Sequence, residues 1–353
     1  MILSSDTYSA FPRSVDGAPI TEAFVVYDSS VTWIAEEILA SLGSAVKGAI
    51  AIEASEAGKN MDTVLLICRS MMEAGLSRGA LVVCIGGGIT SDIGGFAASI
   101  YKRGVRYATV PTTLLSQVDA GIGGKNGVNF LGYKNMLGTI VQPSFTFICP
   151  EALKTLPRRE FLCGASEMLK TFLIADGALY RRAVEISGAK MGDFAPEWRE
   201  LIVKAAQIKA DIVEEDPFEH GRRAVLNLGH TFAHAIEHLA AEKGDDIAHG
   251  EAVAMGIVMA ARLSEAIFAP GSKCFGGRKK AVRNTSPLRN SIAEDFASIG
   301  LPTQCPYPLE ELAPAMAKDK KSTGTKVKFV LLEAPGKPYF KELTPQEAID
   351  LLK

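Results

Sequence analysis

The chain has 353 residues, 47% hydrophobic and 22% charged, which is enough apolar surface for one or two substantial cores and excludes a disordered chain or a small disulfide scaffold. Its 38 basic and 40 acidic residues leave a formal charge of -2, so no global field favours nucleic acid or an anionic membrane, and any anionic ligand needs a local cluster of cations. The six cysteines, Cys68, Cys84, Cys149, Cys163, Cys274 and Cys305, are scattered without a C-x-x-C pair, as suits a reducing cytosol.

The N-terminal segment MILSSDTYSAFPRSVDG lacks a basic region followed by a long apolar run, and no stretch reaches the roughly 18 uninterrupted apolar residues of a membrane span, so the expectation is a soluble, cytoplasmic protein. Short β-rich runs follow at Ala23–Tyr27, Ala49–Ile52, Leu81–Ile85, Tyr107–Val110 and Phe145–Cys149, with helical patterns such as Thr32–Leu42 and Met61–Ala74 between them. That alternation predicts a mostly parallel sheet. From Pro157 to about Leu263 the pattern is nearly all helical, broken at Gly177, Gly188 and Pro217. The change in composition predicts an α/β nucleotide-binding domain over residues 1–155 and a mainly α-helical domain over 156–353. Pro270–Arg289, rich in Gly, Lys and Arg, reads as an exposed loop; a hairpin (Val327–Leu332 and Pro338–Leu343) and a closing helix (Pro345–Leu352) end the chain.

The segment VVCIGGGITSDIGG is a strand running through glycines into a helix. Glycines admit close approach of a phosphate, and the N–H groups that open the helix bind it. The spacing is not G-x-G-x-x-G, so a tight strand-to-helix turn is an equal reading. Thr112, Thr113, Asp119, Lys125, Lys134 and Asn135 then set hydroxyls, a carboxylate, lysines and an amide among glycines, which suits a nucleotide beside a polyhydroxylated anion; taken singly, each is also ordinary loop chemistry.

Of five histidines, His230, His234, His238 and His249 lie close together in the chain. The spacing i, i+4, i+8 stacks the first three along one helix face, where neutral imidazoles can bind a divalent metal with His249 as a third ligand; the other reading is buried or surface histidines making ordinary hydrogen bonds. Spacing does not say which of the three stacked residues binds. Lys209, Glu219, Arg222, Arg223 and Asn227 form a mixed-charge approach to that helix, which, taken residue by residue, reads rather as a surface ion-pair network.

Together these stretches resemble the 3-dehydroquinate synthase family: GGGITSDIGGFAASIYKRGV, VPTTLLSQVDAGIGGKNGVN, GYKNMLG, LKTLPRREFLCGASEMLK, LNLGHTFAHAIEH, HGEAVAMG and MAKDKK occur in family order. The resemblance implies a cyclising phosphate lyase with NAD and a divalent metal, zinc or cobalt, as cofactors. It assigns the metal to Glu167, His230 and His249, turns His234 toward the substrate, and leaves His238 an ordinary helix residue. Catalytic roles are implied for Lys125, Lys170, Lys209, Arg223, Asn227 and His234, and substrate contacts for Arg103, Asp119, Lys134, Asn135, Glu219 and Lys320, with Arg103 reaching across from a second subunit of a homodimer. Cofactor contacts map onto Glu56, Lys59, Gly88, Ile89, Thr90, Ser91, Asp92, Thr112, Thr113, Lys125, Lys134, Leu153, Lys154 and Thr155.

Departures from the family pattern are Ser91 in place of glycine, Asn126 in place of threonine, Asp216-Pro217-Phe218-Glu219 in place of Asp-Glu-x-Glu, and a longer gap between His230 and His249. The rivals are a related sugar phosphate cyclase of secondary metabolism, a metal-dependent polyol dehydrogenase on the same fold, and a nucleic-acid-binding role for Lys273–Arg289. A neutral polyol has no use for so many cations, and the basic stretch lacks interleaved aromatics apart from Phe275.

Overall fold

The structure, a computed structural model, describes residues 1–189, 196–268, 288–318 and 326–353. By packing the chain divides into two compact units, Met1–Gly164 with Ile202–Phe218, and Ala165–Leu201 with Glu219–Lys353.

In chain order the first unit carries β1 (Ile2–Ser4), β2 (Ser14–Val15), β3 (Ala18–Pro19), β4 (Ala23–Asp28), α1 (Thr32–Leu42), β5 (Val46–Ile52), α2 (Met61–Glu73), β6 (Leu81–Gly86), α3 (Gly88–Ile100), β7 (Arg106–Pro111), β8 (Lys125–Phe130), β9 (Tyr133–Ile140) and β10 (Thr146–Ile148). Six of these strands form one parallel sheet in the order β1-β10-β7-β6-β4-β5. Alternate residues of a strand face opposite sides, and the two cores follow that rule. Val83 and Ile85 join Val25, Ile34, Ile38 and Phe145 on the α1 face. Val82 and Cys84 join Val26, Val64, Ile67 and Ile93 on the α2/α3 face. Because β6 is buried on both sides, it reads as the unbroken apolar run LVVCIG.

Two features of this unit differ from the sequence reading. β1 pairs with β10 at the sheet edge, and its three residues are too few to show a periodicity. The segment carrying Lys125, Lys134 and Asn135 is an antiparallel hairpin of β8 and β9, not loop. Asn126 anchors that hairpin: its Nδ2 donates to Tyr107 OH at 3.1 Å, Gly124 O at 3.2 Å and Val141 O at 3.3 Å, tying it to β7.

Helix α4 (Arg158–Ala175) belongs to the second unit from Ala165 on, and α6 (Pro196–Glu215) belongs to it up to Leu201 and to the first unit from Ile202; the second unit also holds α5 (Gly177–Ala189), α7 (His230–Lys243), α8 (His249–Phe268), α9 (Leu288–Ile299), α10 (Leu309–Ala317) and α11 (Pro345–Leu352), with the hairpin β11 (Val327–Ala334) and β12 (Lys337–Leu343). Gly188 is the last residue but one of α5, which is described as far as Ala189. The centre of this unit is α8, buried over nearly its whole length, and α7, α9, α11 and β11 pack around it. The closing α11 starts on a capping box, Thr344 with Glu347, and has Pro345 in its first turn. Pro270–Arg289 falls outside the described residues over 270–287, and Lys320 is outside them as well. Among the described residues no helix is long and apolar enough to cross a membrane.

Candidate active site

In the first unit the turn from β6 to α3 is built for glycine. A Cβ on Gly86 would sit 2.4 Å from Thr90 Oγ1, and one on Gly88 would sit 3.0 Å from the Ala120 Cβ. Among the described residues no side chain caps the N-terminus of α3, whose first N–H groups therefore suit an anion. Thr90 Oγ1 is buried there without a hydrogen-bond partner among the described residues, as expected of a group that serves a ligand. This cradle fits the dinucleotide that the family resemblance implies. Ser91 does not intrude, because its hydroxyl donates back to Gly87 O at 3.2 Å.

Around this turn, the buried Lys59 Nζ pairs with Asp92 at 2.5 Å and donates to Asn135 Oδ1 at 2.6 Å. Asn129 Nδ2 donates to Glu56 Oε1 at 2.8 Å, which brings the Glu56 and Lys59 segment against the hairpin. Thr112 is buried and its N–H donates to Gly86 O; the Thr113 hydroxyl bonds Ser116 Oγ at 2.9 Å. Lys209 Nζ, on α6, reaches Asp119 Oδ1 at 2.7 Å and Asp119 O at 2.6 Å. Lys125 and Lys134 are exposed on the hairpin, and Arg103 is exposed in a left-handed backbone conformation with φ 63°. Leu153 is buried, while Lys154 and Thr155 are exposed, Lys154 pairing with Glu151 at 2.6 Å.

In the second unit Glu167 lies on α4 with no exposed surface, and the ammonium of Lys170, one turn on, pairs with its Oε2. Oε1 is 3.6 Å from Nε2 of His230 and 3.4 Å from Nε2 of His249. One ligand atom from each of these three residues lies within 4.8 Å of the others. Glycine makes this convergence possible. Gly229, left-handed at φ 79°, enters α7, and its carbonyl oxygen would be 2.3 Å from a Cβ on Gly256 of α8. Two backbones that touch in this way set the His230 and His249 rings 5.5 Å apart.

The electrostatics of the cluster favour a cation. Burial alone would raise the Glu167 carboxyl, but Lys170, His230 and His249 outweigh it and hold it well below the usual carboxylate range. Neither carboxylate oxygen has a hydrogen bond of good geometry among the described residues. Burial, reinforced by Lys170, pushes His230 down to about 3, so it is neutral. Burial also acts to lower His249, but the carboxylates of Glu167 and Glu237 overcome it and raise this ring to about 10. The same two carboxylates that favour a proton on this ring favour a divalent cation beside it. Both rings present Nε2 inward: Nδ1 of His230 is 3.2 Å from Leu228 O, and Nδ1 of His249 is 3.2 Å from Glu237 Oε1. A carboxylate with two Nε2 donors fits a catalytic zinc-type ion and leaves positions open to substrate.

The remaining histidines separate. The His234 ring stands edge-on to His230 at 5.6 Å, whereas His238 pairs with Glu242 and Lys318, each at 3.0 Å. Arg223 is buried in a short 3-10 turn, and Asn227 at the end of that turn donates to Glu219 Oε1 at 2.7 Å. Glu237 was not singled out from the sequence. Its signal was its position seven residues after His230, two turns along the same face.

The family models for the 3-dehydroquinate synthase N-terminal and C-terminal regions match residues 49–163 and 164–322. The 3-dehydroquinate synthase of Legionella pneumophila (strain Paris) is 37% identical over 302 residues, covering 85% of this chain and 78% of that protein. The one from Acidithiobacillus ferrooxidans is 38% identical over 329 residues, covering 92% and 86%. Among solved structures, 2-epi-5-epi-valiolone synthase from Streptomyces hygroscopicus, with NAD+ and Zn2+ bound, superposes with a TM-score of 0.83 at 27% identity, covering 100% of this chain and 95% of that one.

Proposed function

The chain belongs to the 3-dehydroquinate synthase family, and from that premise we infer that it is a cyclising phosphate lyase converting 3-deoxy-D-arabino-heptulosonate 7-phosphate to 3-dehydroquinate and phosphate, in the shikimate pathway of aromatic amino acid biosynthesis. The observation that carries this reading is the convergence of Glu167, His230 and His249 in a chain that is 37% and 38% identical to two such synthases over 85% and 92% of its length. Its cofactors are NAD and a divalent metal, zinc or cobalt. When bound, NAD supplies a reversible hydride acceptor and the metal a Lewis acid for substrate hydroxyls.

The chain's own part is to bind, orient and move protons. Glu167, His230 and His249 hold the metal. The Gly88–Asp92 turn, Glu56, Lys59, Thr112, Thr113 and the Leu153–Thr155 segment hold the dinucleotide. Lys125, Lys134, Lys170, Lys209 and Arg223 offset the negative charge of the substrate's carboxylate and phosphate, a demand that a neutral polyol does not make. Arg103, Asp119, Asn135, Asn227, Glu219 and Lys320 orient the substrate, and a ring nitrogen of His234 exchanges a proton with a substrate hydroxyl. The overall reaction is redox-neutral. One carbinol is oxidised so that the neighbouring C–H becomes acidic, phosphate leaves, the carbonyl is reduced again, and ring opening with aldol closure makes the carbocycle. We assign residues 1–155 to NAD binding and 156–353 to metal and substrate binding. We also take the enzyme to be a cytoplasmic homodimer. Exposed Phe130, Leu131, Tyr133 and Met136 on the β8/β9 hairpin support an apolar subunit contact.

The test is stoichiometric. With substrate, metal and a small amount of NAD, phosphate release and dehydroquinate formation continue for many turnovers without a matching rise in NADH absorbance. NADH produced in equal amount to substrate consumed, with phosphate retained, would instead identify a polyol dehydrogenase.

A further inference from the structure

We propose that Glu237 is a positioning residue of the metal site, whose carboxylate fixes the tautomer and ring orientation of His249 and so sets how tightly the metal is held. The inference rests on Glu167, His230 and His249 being the metal ligands. The two imidazoles are oriented by different means. Nδ1 of His230 faces the Leu228 carbonyl, a backbone group supplied by the tight entry into α7. Nδ1 of His249 faces Glu237 Oε1 at 3.2 Å, a side chain on the neighbouring helix. The backbone around His249 is fixed separately, because Ala248 N–H donates to Glu251 Oε2 at 2.8 Å at the start of α8. That bond sets where the residue sits but leaves its side-chain torsions open.

Glu237 closes that freedom. An acceptor at Nδ1 requires that nitrogen to carry the ring proton, which leaves the Nε2 lone pair for the metal, and a carboxylate acceptor makes the ring a stronger donor than a carbonyl does. Glu237 is two turns along α7 from His230, so a single helix presents one ligand and the group that orients the other. Its side chain is 23% exposed and that of Glu167 is fully buried, which separates the outer carboxylate from the inner one. Loss of such an outer partner typically weakens metal binding about 10–100-fold.

The experiment titrates the metal-free full-length protein with cobalt and with zinc against a competing chelator, and records the cobalt visible spectrum, for wild type, Glu237→Ala, Glu237→Gln and His249→Ala. The expected result is a rise in Kd of about 10–100-fold for Glu237→Ala, with a changed cobalt band. Glu237→Gln keeps a neutral acceptor in the same place and should recover part of the affinity and the wild-type band shape. A purely structural role for Glu237 would not move the spectrum in that graded way. Wild-type affinity and spectrum in Glu237→Ala, with metal lost in His249→Ala, overturns the positioning role alone. Full metal retention in His249→Ala overturns the ligand assignment itself. If Glu237→Ala does not fold, Glu237→Gln decides: an intermediate affinity sustains the proposal, and one equal to wild type refutes it.

Discussion

Gly256→Ala tests whether a single backbone contact between α7 and α8 sets the geometry of the metal ligands. An added Cβ would lie 2.3 Å from Gly229 O and 3.1 Å from Ala233 N. Restoring van der Waals contact requires about 1 Å of separation at that point, and both neighbours are backbone, so no side chain can rotate away. The overpacking should cost about 1–3 kcal/mol. The larger effect is on the site. His230 follows Gly229 directly and His249 lies two turns before Gly256, so separating the helices moves one ligand relative to the other, whereas a metal shell tolerates about 0.2 Å. A weakening of one ligand by about 1.4 kcal/mol is a tenfold loss in affinity, and that is the minimum expected. Gly244→Ala is the control: with φ 77° but no atom within 4 Å of its Cβ, it should cost about 1–2 kcal/mol of backbone strain and leave metal affinity intact. Urea unfolding of the metal-free proteins and chelator-competed cobalt titration measure the two effects separately. If Gly256→Ala binds metal within twofold of wild type, the contact does not align the ligands and the reasoning fails.

Three further outcomes are expected. His230→Ala should abolish metal retention while His238→Ala leaves it intact and costs under about 1 kcal/mol, since His238 is 38% exposed and joins only a surface pair network; metal analysis after dialysis decides, and the reverse pattern rejects the ligand assignment. Lys170→Met should destabilise the metal-free protein by about 3 kcal/mol, the low end for breaking a buried pair, because His249 still stands 3.4 Å from Glu167; an unchanged urea midpoint would contradict it. Asn126→Ala should cost about 1–3 kcal/mol through the loss of its buried bonds to Gly124, Val141 and Tyr107, and hydrogen exchange should quicken in the β8/β9 hairpin first; uniform exchange rates would show that the amide does not anchor it.

Features that depend on local periodicity were legible in the sequence. The pattern over Thr32–Leu42 and Pro345–Leu352 marks helices with the bounds that the structure shows, because an apolar stripe and the chemistry of helix ends are written within a dozen residues. The strands Leu81–Gly86 and Arg106–Pro111 were legible, as the runs Leu81–Ile85 and Tyr107–Val110, for a related reason: a strand covered on both faces is mostly apolar. The hairpin at 125–140 was not, since it is rich in glycine and asparagine and much of β9 is exposed, so no buried face imposes alternation on it. Neither was β1, whose place beside β10 is a pairing between opposite ends of the unit.

The site divides along the same line. Helical spacing put His230, His234 and His238 on one face and could not choose among them, and the resemblance to a family made the choice. Tertiary structure alone brings Glu167 of α4, His230 of α7 and His249 of α8 to one point and turns His238 to Glu242 and Lys318 instead. It also sets Glu237 behind His249. The physical reason is that a side chain's neighbours along a helix follow from its period, whereas its neighbours across helices depend on how closely two backbones approach. Here that distance is decided by the absence of two Cβ atoms, at Gly229 and Gly256.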